Sequence, residues 1–303
     1  MTTVSTPPGL TSIAAVTASL ASVGYISSRA ISTAVYLAHH LRKPVLIEGP
    51  AGVGKTDLAV SLGKSLDFAL LRMQCYEGLD ESKSLYEWKY GKQLLYTQIL
   101  KEKIHELIGE ADSLDASFKK LAGFQDMFFS REFLEPRPLL KAMEQEGGSV
   151  LLIDEIDKSD PEFEAFLLEV LSDFQVSVPE LGTIAAKVKP LVFLTSNNTR
   201  EMSDALKRRC LHLHIPFPDA GIESRILERR VPGLSSKLNR DLVAFVQAIR
   251  KEELFKAPGV AETLDWATAL VELDAVALDP AIVSDTLGAL LKYQDDIQAM
   301  QGS

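Results

Sequence analysis

The chain has 303 residues and 46% of them are hydrophobic, which is enough apolar material for one large domain and a smaller one. Lys and Arg number 32 against 42 Asp and Glu, so the net charge is -10 and the surface as a whole repels nucleic-acid backbones. The two cysteines, Cys75 and Cys210, match no metal-ligand spacing. We therefore expect a reducing, cytoplasmic environment and no nucleic-acid partner.

The first 28 residues contain no charged side chain, which raises the question of a signal peptide or a membrane span. Ser and Thr interrupt the apolar residues throughout, and no basic segment precedes them. We therefore expect neither a signal peptide nor stable membrane insertion. The spacing of Ile13, Val16, Leu20 and Val23 instead predicts an amphipathic helix, and a second helix is predicted over residues 28–41.

The segment from Gly49 to Thr56 fits the phosphate-loop pattern Gly-x-x-x-x-Gly-Lys-[Ser/Thr] at every position. The apolar run 44–48 before it predicts a buried strand, and leucines at every fourth position after it predict a helix. Small residues in such a loop let backbone N–H groups surround a triphosphate at the positive end of the helix. The predicted nucleotide-binding residues are Gly49, Pro50, Ala51, Gly52, Val53, Gly54, Lys55, Thr56, Asp57 and Asp154.

Four apolar residues, 150–153, lead into Asp154 and Glu155, which predicts a buried parallel strand with two carboxylates at its C-terminal end. Lys55 is expected to reach the β- and γ-phosphates of ATP, and Thr56 with Asp154 to hold Mg²⁺ through its hydration shell. Glu155 is expected to orient and polarise the attacking water. Solvated carboxylates at a strand end are the alternative reading of the acidic pair.

A second buried strand, 191–197, ends in Asn197, which is placed to share the catalytic water with Glu155 or, alternatively, to close a turn. Upstream of the phosphate loop, Tyr25 and Ile26 are candidates for contact with adenine or for a core and turn role. Further strands are predicted at 68–74 and 211–215. We thus expect an α/β fold with a five-stranded parallel sheet flanked by helices.

Several other segments are informative. Residues 75–90 are dense in aromatic and charged side chains, and we expect helices from there to Met143, as an insert that either binds a partner or covers the sheet. Asp160 and Pro161 predict a helix start with a capping carboxylate, and residues 176–188 predict a hairpin.

From Asp219 onward only helices are predicted, at 222–230, 240–255, 260–273 and 280–293. Pro216 and Pro218 mark a boundary before them. The expected domains are therefore 1–216, the nucleotide-binding α/β domain with its insert, and 217–303, a small helical lid.

The phosphate loop, the acidic strand end, the Asn197 strand tip and the Arg208-Arg209 pair before a last strand together resemble the AAA+ ATPases. The inserted helices and the hairpin are similar to the MoxR-type branch. The runs 74–88, 163–169 and 194–197 look like those of CoxD-like accessory ATPases of molybdenum hydroxylases, such as molybdenum-copper carbon monoxide dehydrogenase.

That resemblance implies a homo-oligomeric ring, usually a hexamer, with ATP and Mg²⁺ at each interface. Arg209 matches the family's arginine finger, with Arg208 as the alternative and a surface cation as the other reading of either, and Asn197 matches the first sensor. The resemblance also implies a chaperone that hydrolyses ATP to remodel a metalloenzyme client, together with a partner that contains a von Willebrand factor A (VWA) domain. One departure is Glu262, which stands where the lid usually carries a sensor arginine; Arg225 or Arg229 are candidate replacements.

Other functions remain open at this stage. An AAA+ nucleic-acid motor or clamp loader would use the same site, although the acidic composition disfavours it. A module that binds ATP to assemble without useful turnover is a second alternative, and a small-molecule kinase is a third. Cys75 could handle sulfur or copper, but a buried apolar role is more common for a free cysteine.

Overall fold

The structure is a computed structural model that describes residues 6–109, 128–179 and 181–301. Within these residues the helices are α1 (Ile13–Ser22), α2 (Arg29–Leu41), α3 (Lys55–Leu66), α4 (Glu81–Leu85), α5 (Tyr90–Gly109), α6 (Pro138–Glu144), α7 (Pro161–Asp173), α8 (Asp204–Arg209), α9 (Ala220–Arg230), α10 (Ser236–Ile249), α11 (Val260–Glu272), α12 (Pro280–Leu290) and α13 (Gln294–Gln301). The strands are β1 (Val45–Glu48), β2 (Ala69–Gln74), β3 (Tyr86–Trp88), β4 (Leu134–Pro136), β5 (Ser149–Asp154), β6 (Gln175–Val178), β7 (Gly182–Ala185), β8 (Leu191–Ser196) and β9 (Leu211–His214).

Five strands form one parallel sheet in the order β2-β5-β8-β1-β9. β1 lies near the middle, between β8 and β9, and β5 lies between β2 and β8. Because parallel strands end at the same edge of a sheet, the phosphate loop after β1 and the polar residues after β5 and β8 meet there. The predicted α/β class and five-stranded parallel sheet are confirmed.

The sheet is covered on both faces, as its nearly continuous apolar strands require. Successive residues of a strand point to opposite faces, so Leu46 packs with helices α6 and α7, whereas Val45 and Ile47 pack with α1, α2 and α3. The predicted apolar face of α1 is buried at Val16 and Leu20. No helix in the described ranges is both long and apolar enough to cross a bilayer.

The insert after β2 differs from the prediction of helices alone. β3 and β4 pair antiparallel as a small two-stranded sheet, with Glu87 opposite Glu135, and α4 and α5 lie on either side of β3 in the chain. The strand-like tripeptides are too short to give a periodic pattern, so the sequence did not reveal them. The part of the predicted insert at 110–127 lies outside the described residues.

Two local predictions concern the hairpin at 176–188 and the start of helix α7. The hairpin is confirmed, since β6 and β7 pair antiparallel. Helix α7 does begin at Pro161 after Asp160, but the Asp160 carboxylate does not cap it. Instead the Asp160 carboxylate accepts a hydrogen bond from the backbone N–H of Gly78 at 2.9 Å, which ties the start of the insert to α7.

Helices α9 to α13 bury a core of their own around Trp266, Leu242 and Leu270. α10 begins at Ser236 and ends at Ile249, so the predicted range 240–255 was shifted, and α13 was not predicted at all. The division of the chain into domains at residues 216 and 217 stays a prediction.

A buried ion pair ties three of these helices together. The guanidinium of Arg250 donates two hydrogen bonds of 2.7 Å to the carboxylate of Glu223 in α9, and both side chains are almost fully buried. Thr263 of α11 donates to the same carboxylate at 3.0 Å, and Arg250 also donates to the carbonyl of Pro258 at 2.8 Å. Loss of either charged partner would leave an uncompensated buried charge.

Candidate nucleotide-binding site

The phosphate loop leaves the end of β1 and enters α3 through residues in unusual backbone conformations. Gly49, Gly52 and Gly54 have φ values of 150°, 76° and 92°, which side chains rarely permit. At Gly49 an added Cβ would also lie 2.1 Å from the carbonyl oxygen of Ile215, so only glycine fits between the loop and the end of β9. The absence of a side chain at Gly49 therefore lets the loop lie directly against the end of β9.

Lys55, the first residue of α3, is buried and fully hydrogen-bonded. Its ammonium donates to the carbonyl oxygens of Gly49 at 2.6 Å and Pro50 at 2.7 Å, and to Oδ1 of Asn197 at 2.7 Å. Burial lowers the pKa of Lys55, while the nearby carboxylates, first that of Asp157, oppose this shift. The contact with Asn197 joins the phosphate loop to the tip of β8, as the sequence predicted for two parts of one site.

Asp154, at the end of β5, lies 3% exposed and faces the phosphate loop. Thr56 donates to its Oδ1 at 3.0 Å and its Oδ2 at 3.3 Å, and Thr195 donates to Oδ1 at 2.5 Å. Hydroxyl and carboxylate oxygens are the hard ligands that Mg²⁺ prefers, usually with only one or two protein carboxylates and the phosphates of a substrate. The donor set at Thr56 and Asp154 thus fits the predicted Mg²⁺.

Glu155 follows directly and has a left-handed backbone, with φ 57° and ψ 51°. Such a conformation costs about 1–3 kcal/mol in a residue other than glycine and is characteristic of functional sites. Here the hydrogen bond from its N–H to Thr195 Oγ1, at 2.9 Å, stabilises it. Its carboxylate accepts from Gln74 of β2 at 2.7 Å and pairs with Lys158 at 2.7 Å.

Asn197 lies one residue beyond β8, between the carboxylate of Glu155 and the ammonium group of Lys55. Its Oδ1 faces Lys55, and its Nδ2 is 3.5 Å from Oε1 of Glu155. The backbone N–H groups of Asn197 and Thr199 donate to the buried carboxylate of Asp157, at 3.2 and 3.0 Å. Asp157 thus fixes the turn that presents Asn197, and the sequence analysis had not assigned it a role.

These groups open into one cavity of about 790 Å³, which is large enough for a nucleotide. Its polar lining includes the phosphate loop, Asp154, Glu155 and Asn197. Its apolar lining comes from residues before and after the loop in the chain, namely Tyr25, Ile26, Ile31, Phe217, Ile222, Ile226 and Leu264. Tyr25 and Ile26 therefore lie where contact with a base was predicted, and burial raises the pKa of Tyr25 far above its ordinary value.

The C-terminal helices contact the phosphate loop at the start of α11. The N–H of Ala261 donates to the carbonyl oxygen of Gly52 at 3.1 Å, and a Cβ added at Gly259 would lie 2.6 Å from the carbonyl oxygen of Ala51. Glu262 turns back to accept from the N–H of Gly259 at 3.0 Å, so it caps its own helix. This local role explains a glutamate at that position.

Among the arginines of α9, Arg230 lines the cavity, whereas the candidate sensors Arg225 and Arg229 are not among its lining residues. Arg230 pairs with Asp57 of α3 at 2.5 Å, whereas Arg229 donates to the carbonyl oxygen of Ala21 at 3.1 Å. Asp57, predicted as a nucleotide contact, also lines the cavity and forms an ion pair with Arg230 of the C-terminal helices.

Arg208 and Arg209, at the end of α8, lie outside this cavity and are exposed. No hydrogen bond or ion pair of either side chain is found within the described ranges. They therefore lie away from the site of their own chain, and the neighbouring-chain role predicted for them stays a prediction.

Cys75 and Cys210 are both buried, and burial raises the pKa of each thiol to about 12. A thiol with such a pKa is almost entirely protonated near neutral pH, and it is the thiolate that attacks or binds metal. Both side chains also pack in the apolar cluster on one face of the sheet, which favours a structural role over sulfur or copper handling.

A phosphate loop between β1 and α3, carboxylates after β5 and an amide after β8 define a nucleotide-binding protein of the P-loop class. The sequence profile of the AAA domain (dynein-related subfamily) matches residues 44–210, which is more than half of the chain. The protein therefore belongs to this family of AAA+ ATPases, whose members use ATP with Mg²⁺. The match does not separate the MoxR-type branch from others.

Relatives along most of the chain are known. An uncharacterized protein of Staphylococcus aureus (strain USA300) is 25% identical over 248 residues, which cover 79% of this chain and 80% of the relative. Among solved structures, the RuvB Holliday junction branch migration motor of Thermotoga maritima is 18% identical, with a TM-score of 0.44, over 85% of this chain and 66% of that one. Its P216G mutant is 17% identical, with a TM-score of 0.47, over 88% and 70%.

Proposed function

We propose that the chain hydrolyses ATP in the cavity between the sheet edge and the C-terminal helices, and uses the energy to remodel a partner protein. The observation that carries the ATPase proposal is the convergence of Lys55, Asp154, Glu155 and Asn197 in the lining of a single cavity. Four residue types from three separate strand ends serve phosphate binding and activation of water when they meet in this way.

Each side chain has a role that follows from its contacts. Lys55 exchanges its hydrogen bonds with the loop carbonyls for bonds with the β- and γ-phosphates. Thr56 and Asp154 would hold Mg²⁺, which would supply positive charge to neutralise the phosphate oxygens. Glu155 orients the attacking water and accepts its proton, and Asn197 holds the terminal phosphate and the water in line with the Glu155 carboxylate.

The proposed assembly is a homo-oligomeric ring, of six chains by family resemblance alone, in which Arg209 reaches the nucleotide of the neighbouring chain. Its exposure at the end of α8, away from its own cavity, supports this role. Arg208 is the alternative finger. A cation supplied in this way neutralises charge in the transition state and makes turnover depend on assembly.

The finer proposal is a MoxR-type, CoxD-like chaperone that acts in the maturation of a metalloenzyme of the molybdenum hydroxylase type, together with a VWA-domain partner. It is supported by the resemblance of residues 74–88, 163–169 and 194–197. The insert that contains the first of these runs also adds a separate two-stranded sheet, β3 and β4. Neither partner follows from the geometry of the nucleotide site.

The ATPase proposal is tested with purified protein by the release of phosphate from ATP with and without Mg²⁺. Glu155→Gln should bind ATP normally but lose turnover by about 10²- to 10⁴-fold, because the general base is removed. Lys55→Ala should lose binding. If the unsubstituted chain binds ATP but releases no phosphate, alone or with its partners, the non-hydrolysing assembly module is the correct function.

The chaperone proposal is tested in the native cell with Glu155→Gln, which holds ATP and should retain bound partners. Lys55→Ala, which cannot hold ATP, is the matched control. Recovery of a metalloenzyme and a VWA-domain protein with the first variant and not with the second supports the proposal. Recovery of DNA or RNA in a salt-sensitive complex would favour the nucleic-acid motor instead.

A further inference from the structure

Beside Asp154 lies a cation that the sequence analysis did not single out. Arg72 lies on β2, next to β5 in the parallel sheet, and its guanidinium donates to Oδ2 of Asp154 at 2.6 Å. Side chains two residues apart on a strand share a face, so Arg72 and Gln74 both point toward the end of β5. Arg72 lines the cavity that holds the phosphate loop.

The carboxylate of Asp154 has little capacity left. Oδ1 accepts from Thr195 and Thr56, and Oδ2 accepts from Arg72 and, at 3.3 Å, from Thr56. Two carboxylate oxygens offer about four acceptor sites in total. The three donors, one of them the single Thr56 hydroxyl shared by both oxygens, fill about three of these sites, so a hydrated Mg²⁺ that uses more than one acceptor site of Asp154 must displace a donor.

The burial of the three donors indicates which one leaves. Thr195 is 1% exposed and also accepts from the backbone of Glu155, so its position is fixed. Thr56 belongs to the phosphate loop and is itself a predicted ligand of Mg²⁺. Arg72 is 53% exposed in its side chain, and an exposed arginine is held only weakly by one carboxylate.

We propose that Arg72 is a positioning residue that competes with Mg²⁺ for Asp154. Its guanidinium balances the charge of Asp154 and so lets the site accept nucleotide without metal, and Arg72 would release Asp154 when the site holds Mg²⁺. Arg72 therefore lowers the dependence of nucleotide affinity on Mg²⁺. This inference rests on the proposed nucleotide site, but it can fail while that site stands.

The test measures the dissociation constant of a fluorescent ADP analogue, once in excess Mg²⁺ and once in EDTA, by equilibrium titration. The ratio of the EDTA value to the Mg²⁺ value expresses the coupling between metal and nucleotide. Arg72→Gln should raise this ratio by about 3- to 10-fold, because metal-free nucleotide then meets an uncompensated Asp154. Arg72→Lys retains a cation and should keep the ratio near that of the unsubstituted chain.

Two further variants make the result specific. Arg131→Gln is the matched control, since Arg131 forms a 2.5 Å ion pair with Glu144 and is 45% exposed, but lies outside the cavity. It should leave the ratio unchanged. In an Asp154→Asn background, Arg72→Gln should no longer change the ratio, since the two residues act through one contact.

An unchanged or lower ratio in Arg72→Gln overturns the inference, and so does Arg72→Lys if it behaves like Arg72→Gln. Thermal unfolding of each variant confirms that it is folded. If the unsubstituted chain binds no nucleotide under either condition, the proposed function itself has failed. If it binds with a clear Mg²⁺ dependence that Arg72 does not affect, only the role of Arg72 is rejected.

Discussion

The close approach of α11 to the phosphate loop depends on the absence of a side chain at Gly259, which makes Gly259→Ala an informative substitution. Its φ of -82° suits any residue, so alanine introduces no backbone strain. The new methyl group, however, would lie 2.6 Å from the carbonyl oxygen of Ala51 and 2.8 Å from Cα of Gly52. Both are backbone atoms, so the start of α11 has to move away from the loop.

Forced displacement in a packed region costs about 1–3 kcal/mol. Alanine recovers about 0.4–1 kcal/mol by restricting the unfolded chain. We therefore expect Gly259→Ala to lower the free energy of unfolding by about 1–2 kcal/mol. Because the hydrogen bond from Ala261 to Gly52 is lost with the displacement, nucleotide affinity should fall as well.

Urea unfolding measures the first effect as a shift of the midpoint at constant slope, and titration with a fluorescent nucleotide measures the second. Gly288→Ala is the control, since Gly288 is an exposed position of α12 with no atom within 4 Å of an added Cβ. It should stabilise the chain by about 0.5–1 kcal/mol. The reasoning is refuted if the Gly259→Ala variant unfolds at the same urea concentration as the unsubstituted chain and binds nucleotide with equal affinity.

Three further results are expected. Arg209→Ala should lower ATP turnover by about 10³-fold or more while self-association and ATP binding remain, and Arg208→Ala should not; the reverse pattern would make Arg208 the finger. Cys75 and Cys210 should react with a thiol reagent at pH 8 only after unfolding. Since their pKa values are raised from 9.0 to about 12, the unfolded chain loses thiol protons first, and the free energy of unfolding should fall as pH rises from 9 to 12. Urea titrations at alkaline pH measure this change, and a free energy of unfolding that rises with pH would contradict it. Arg230→Gln should change the free energy of unfolding by less than about 1 kcal/mol, because its ion pair is exposed, and a larger loss by urea unfolding would contradict this.

Much of the sheet was predictable because each central strand is an apolar run, and the phosphate loop, the Asp154-Glu155 pair and Asn197 each come at the end of such a run. Lys55, Asp154 and Asn197 meet for that reason, since the ends of parallel strands share one edge. The order of the strands was not predicted, because it depends on long-range packing that no local pattern records. The small sheet of β3 and β4 was missed because its strands are three residues long.

The residues that the sequence analysis missed share one property, which is that another element gives them their role. Arg72 and Gln74 are ordinary polar residues of an edge strand until β5 lies beside them. Asp157 is one acid among several until it accepts from the turn after β8, and Arg230 is a surface cation until it meets Asp57. The alternation of charged and apolar residues in β2 was the available signal, since Arg72 and Gln74 share the face of the strand that points toward the end of β5.

The bidentate contact between Glu223 and Arg250 has a mechanical consequence for the C-terminal helices. Separating the two charges and leaving each buried without a partner costs about 3–5 kcal/mol. Helices α9, α10 and α11 therefore resist sliding past one another. A small shift of the first turn of α11, where Ala261 contacts the phosphate loop, is then carried to the far ends of all three helices. These helices thus form a stiff arm attached directly to the phosphate loop, so a rotation of the first turn of α11 would move the far end of the arm further than the loop itself.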